Sequence, residues 1–185
     1  MNKIKNKTSL LKWKWGLLLK KTVIILAKII GILSVNKTET IIIPKEAIRF
    51  RVIANSNKES DQIIKKKVVN NLKKNIEKIQ TTSLTETRNN INKSLPDFKS
   101  VVEETLKNEH INYTIDYGMN YFPEKEYKGI YYEEGEYESL VITLGEGIGD
   151  NFWCLLFPPL CLIDEEETTD VEYTSLIKEL INKYF

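Results

Sequence analysis

Acidic residues are absent from the first 38 positions, histidine occurs once in 185 residues, and cysteine occurs twice. The lone histidine, His110, and the two cysteines, Cys154 and Cys161, make a thin donor set for zinc, whose structural sites take four sulfur or imidazole ligands. Proline and glycine are sparse, and no internal repeat or low-complexity linker interrupts the chain. Hydrophobic residues at 42% and charged residues at 29% are near globular averages, which argues against a disordered, collagen-like or multi-span membrane protein. The length suits one domain with a terminal appendage.

The near-neutral total conceals a split. Nine lysines precede Glu39 with no acid among them, whereas from Glu39 onward 18 basic side chains face 26 acidic ones, a formal charge of −8. A mildly acidic body lacks the positive footprint that phosphate requires, so nucleic-acid binding through the folded part is disfavoured. The leader has a lysine-rich stretch containing Trp13 and Trp15, then apolar tracts Thr22–Ala27 and Ile29–Val35, broken by Lys28. This is the order of a secretory signal or signal anchor. Lys28 opposes insertion by about 2.5–3.5 kcal/mol at a helix centre, a cost that snorkelling reduces and the flanking isoleucines and leucines outweigh. An amphipathic helix lying on an anionic membrane is the competing reading. The expected organisation is a basic leader over residues 1–38 and a single extracytoplasmic domain over residues 39–185, since positive charge stays on the cytoplasmic side.

Within the body, Ile41–Ile43 before Pro44 reads as an extended lead-in. From Ala47 to Asn55 apolar residues alternate with Arg49 and Arg51, a half-buried strand with both arginines on one face. Ser56-Asn57-Lys58-Glu59 has the form of a capping box. The helix it opens carries Ile64, Val68, Leu72, Ile76 and Ile79 at helical spacing, with lysines on the other faces. Two further helices are expected, Leu84–Leu95 and Asp97 to about His110, separated by Pro96. Strand alternation returns at Ile111–Tyr117 and Tyr137–Leu144, with a tyrosine-rich hairpin-like connection between, and Thr174–Tyr184 has the spacing of a closing helix. The predicted class is α+β: a small mixed or antiparallel sheet with helices on one face, preceded by the signal or anchor helix.

Gly145-Glu146-Gly147-Ile148-Gly149-Asp150-Asn151-Phe152-Trp153-Cys154 runs into Leu155-Leu156-Phe157-Pro158-Pro159-Leu160-Cys161. The glycines do not form a phosphate loop, because no Lys-Ser or Lys-Thr follows; a glycine-rich turn before an aromatic strand accounts for them. Cys154 and Cys161 stand seven positions apart and would face opposite ways on a straight strand. A reversal at Pro158-Pro159, with a cis bond before Pro158, would set them opposite one another in a disulfide worth about 2.5 kcal/mol. A cysteine nucleophile with His110 as its base is the other chemistry open to them. The acidic run Asp164–Glu167 reads as a solvated turn.

Two passages together resemble the stage II sporulation protein R family of endospore-forming bacteria. One is Ile43-Pro44-Lys45-Glu46-Ala47-Ile48-Arg49-Phe50-Arg51-Val52-Ile53-Ala54-Asn55-Ser56 with Asp61-Gln62 and Lys65. The other comprises Gly145-Glu146-Gly147, Asp150-Asn151, Trp153-Cys154 and Phe157-Pro158-Pro159-Leu160-Cys161. Asn57, Val69 and Phe152 stand where the family pattern more often has aspartate, arginine and tryptophan. The resemblance implies a signalling protein without cofactor, made in the forespore and exported to the space between the two membranes. There it would activate a membrane-bound aspartic protease on the mother-cell side, which processes pro-sigma-E. Arg49, Arg51, Asn55, Asp150, Asn151 and Trp153 are the expected partner contact, since arginine and tryptophan are common interface anchors. The alternative function is an extracytoplasmic hydrolase of wall or peptide substrates using Cys154 and His110.

Overall fold

The computed structural model describes residues 18, 20–25, 41–127, 130–161 and 170–185. The chain divides into two units, Met1–Glu39 and Thr40–Phe185. In the first, residues 20–25 are helical. The rest of the leader, with Trp13, Trp15 and Lys28, lies outside the described residues, as does the run Asp164–Glu167. No described helix is long and apolar enough to cross a membrane.

The second unit is built on a mixed four-stranded sheet. Its strands are β2 (Ile48–Ile53), β3 (Tyr113–Phe122), β6 (Gly135–Leu144) and β7 (Asn151–Phe157), in the order β3-β6-β2-β7. β2 runs parallel to β6 and antiparallel to β7, and β3 is antiparallel to β6. Period-two alternation gives the sheet two unlike faces. Ile48, Phe50 and Val52, with Leu140, Ile142, Leu144 and Leu156, form the main core against helices α1 (Glu59–Ile79) and α2 (Leu84–Leu106). Phe50 sits at its centre, edge-on to Phe98 and Phe152. The expected stripe of α1 is the one buried: Val68, Leu72, Ile76 and Ile79 are enclosed, each contributing about 1.5–3 kcal/mol.

The start of α1 differs from the expected capping box. Lys58 is the N-cap and makes no side-chain cap bond. The Ser56 hydroxyl instead accepts from the Lys58 N–H and donates to Asp61. The two helices expected around Pro96 are one continuous helix, α2. Pro96 lacks the N–H that would reach the Asn92 carbonyl, but both residues are exposed, so water can take the freed carbonyl. The apolar series Ile91, Leu95, Phe98, Val102 and Leu106 runs through the proline unbroken and holds the helix to the sheet. The Ser83 side chain caps its start by accepting from the Glu86 N–H. Arg88 then reaches the sheet, donating twice to Glu138, which also accepts from the Tyr117 hydroxyl.

The other face carries Arg49, Arg51 and Ile53, and it is not left bare. A second, three-stranded sheet of β1 (Ile41–Ile42), β5 (Ile130–Tyr132) and β4 (Lys125–Tyr127), together with α3 (Asp170–Tyr184), covers part of it. Ile41, Ile43, Ala47, Ile130, Leu155, Leu160, Tyr173 and Ile177 form a separate core there. Helices on one face of one sheet is therefore too simple. The hairpin expected between Phe122 and Tyr132 joins β1 in parallel across nearly ninety residues of sequence.

Candidate functional site

The two motif passages meet at the end of β2. Asn55 leaves the strand and its amide makes two bonds: its oxygen accepts from the Glu146 N–H at 2.9 Å, and its nitrogen donates to Asp61 at 2.8 Å. The loop runs alongside, with the Ile148 and Gly149 N–H groups donating to the Asn55 and Ala54 carbonyls. Asn57 accepts the Asp150 N–H at 2.7 Å, and Lys65 Nζ donates to the Asp150 carbonyl at 2.9 Å and to Gln62 at 2.6 Å. Gln62 in turn donates to the Ser56 carbonyl. The glycines follow from this closeness. Gly145 has φ +56° and a Cβ there would collide with the Asn55 amide, while one on Gly149 would meet the Ser56 carbonyl.

Charge in this latch is held by hydrogen bonds. Donation from Ser56 and Asn55 keeps the Asp61 carboxyl below its ordinary range. Burial, with Lys65 only 8% exposed, lowers that ammonium from its usual value.

Arg49 and Arg51 share the second face, flanked across the sheet by Leu155 and Ser139, and by Trp153 and Val141. Arg49 is 1% exposed, so it lies inside the protein and not on its surface. Its guanidinium stacks on Tyr137 at 3.4 Å, with Phe122 at 5.1 Å and Tyr132 at 5.7 Å, and none of its three nitrogens has a hydrogen-bond partner. Arg51 is half-buried over Phe122 at 4.6 Å. Burial lowers the pKa of both, yet a guanidinium stays charged. Beside them opens a cleft of about 170 Å³ lined by Lys125, Tyr127, Tyr132, Asn151, Phe152, Trp153 and Tyr173. With its amide oriented to suit its neighbours, Asn151 accepts from Trp153 Nε1 and donates to the Gly149 carbonyl, both at 3.2 Å.

The six expected contact residues thus separate into two groups. Asn55 and the Asp150 backbone belong to the latch, with the Asp150 side chain exposed. Arg49, Arg51 and Trp153 belong to the aromatic face, and Asn151 joins the two. Phe122, Lys125, Tyr132 and Tyr137 were not singled out from sequence. The density of tyrosines between Phe122 and Tyr137 was the available signal.

At the far end of β7 the chain reverses at Pro158-Pro159, with a cis bond before Pro158. Cys154 and Cys161 are joined there, their Cα atoms 4.9 Å apart. A paired Cys154 offers no thiolate for a base to activate, which removes the nucleophile from the hydrolase reading. His110 lies exposed between α2 and β3. Among the described residues no group of His, Cys, Asp and Glu could hold a metal ion.

No solved structure matches the chain. The family model for stage II sporulation protein R matches residues 44–167, which takes in both sides of the latch and the disulfide. A protein of Bacillus subtilis (strain 168) described as stage II sporulation protein R is 40% identical over 163 residues, covering 79% of this chain and 73% of the relative. A match of that extent, over both passages that build the latch, means that the chain belongs to the stage II sporulation protein R family.

Proposed function

We propose that this sporulation protein is an exported signal: made in the forespore, delivered to the intermembrane space, and there activating the membrane-bound aspartic protease that processes pro-sigma-E. The Cys154–Cys161 pair carries this reading, because a disulfide belongs in a compartment outside the reducing cytosol. The acid-free, lysine-rich leader supports it, since that pattern leaves the following domain beyond the membrane. The signal itself performs no chemistry. It binds the active form of the protease more tightly than the inactive form, and moving a receptor from 1% to 99% active requires about 5.5 kcal/mol of differential affinity. An ordinary specific interface supplies that. The test is coexpression in vegetative cells of the chain, the protease and its sigma-factor precursor. Precursor cleavage should appear only with the chain present, and equal cleavage with and without it refutes the proposal.

A further inference from the structure

The body carries a formal −8, yet on the second face of the main sheet three cations stand close together with no ion pair among the described residues. Arg49, Arg51 and Lys125 are instead interleaved with aromatic rings. Arg49 lies over Tyr137 and Phe122, Arg51 over Phe122, and Lys125 Nζ over Trp153 at 4.9 Å. The rings touch in sequence, Tyr137 to Phe122 at 6.2 Å and Phe122 to Trp153 at 5.1 Å, so the series runs from the buried guanidinium to the open cleft. Ring faces offset part of a cation's lost hydration, but three nitrogens of Arg49 and Nε of Arg51 keep unused donors. Of the hairpin carboxylates, Glu133 acts on Arg49 through space without bonding it, and Glu124 and Glu134 accept hydroxyls from Tyr131 and Tyr121. Charge only partly compensated behind low-dielectric walls focuses a positive potential on the nearest opening, and Lys125 lines that opening.

We infer that the cleft beside Trp153 takes a carboxylate side chain from the extracytoplasmic part of the receptor, bonded by Lys125 and drawn in by the two arginines behind it. The receptor as source rests on the proposed function; the carboxylate rests on the cleft alone. About 170 Å³ holds one side chain, short of the roughly 300–1,000 Å³ of small-molecule pockets. The rest of this acidic surface repels an acidic segment, so the cleft also fixes where such a segment can land.

The test titrates purified full-length chain with a hexaglutamate peptide at up to about millimolar concentration, following Trp153 fluorescence, with Trp153→Phe used to subtract Trp13 and Trp15. The wild-type chain should bind. Lys125→Met should weaken binding about tenfold, the loss of one charge-assisted bond, and Lys125→Glu should abolish it, with melting temperatures unchanged. Hexalysine should give no signal. If Lys125→Glu does not fold, Lys125→Met and Lys125→Gln carry the comparison. Equal binding by wild type and variants, no binding by wild type, or equal binding of hexalysine overturns the inference. So does a Trp153 signal that tracks protein concentration without peptide, which would place a second copy in the cleft. No receptor takes part, so failure here leaves the signalling proposal standing, and failure of the coexpression test leaves the carboxylate site without its assigned source.

Discussion

Asn55 occupies the position where strand, helix and glycine loop are tied together, and its two bonds make a sharp prediction. Asn55→Ala should destabilise the domain by about 1–3 kcal/mol through unsatisfied partners, read as a lower urea midpoint. Gly145→Ala should cost at least about 1–2 kcal/mol because its φ is +56° and its Cβ would strike the same amide. In the double variant the collision is gone, so the two costs should sum to less than additively, by roughly 0.5–3 kcal/mol. Asp61 gives a pH signature. Hydrogen bonds from Ser56 and Asn55 lower its folded pKa below the unfolded value of about 3.9. Its contribution is therefore complete above that value and is lost as pH falls through the folded pKa. The stability gap between wild type and Asp61→Asn should be constant near neutrality and close below about pH 4, as followed by urea denaturation across pH. Alternation in the sequence told which face Arg49 and Arg51 share, but not what covers that face. That depends on the hairpin and α3, whose packing no local pattern encodes.

At the scale of elements, the apolar spacing of α1 and the alternation in β3 were readable because each reflects one face buried and one open to solvent, whereas β2 alternates because arginines stand on its second, covered face. Pro96 misled because local chemistry argues for a break, whereas a continuous buried stripe and an exposed Asn92 carbonyl outweigh it. Removing it should therefore help: Pro96→Ala restores the bond to Asn92 and should stabilise the protein by roughly 1–2 kcal/mol after the entropy gained by the unfolded chain, measured by thermal melting. The end of β7 carries the opposite expectation. Reducing Cys154–Cys161, or replacing both with serine, should lose about 2.5 kcal/mol by loop-closure entropy and lower the melting temperature by roughly 5–10 °C. An unchanged melting curve in reductant would contradict the pairing as a stabilising link.

For the whole molecule, the α+β class was legible, but the second sheet was not, because β1 pairs with β5 across the entire helical middle. The candidate site was half legible. Both motif passages were visible as unusual sequence, and their meeting required the parallel pairing of β2 with β6, which brings Asn55 to the loop after β6. The signalling account depends on one further property, that the body acts from beyond the membrane. Coexpressing the protease and its sigma-factor precursor with either the full chain or a variant beginning at Glu39 tests it most directly. Precursor cleavage with the full chain and none with the leaderless variant, at equal protein levels, is the predicted result; equal cleavage with both, or with neither, contradicts the account.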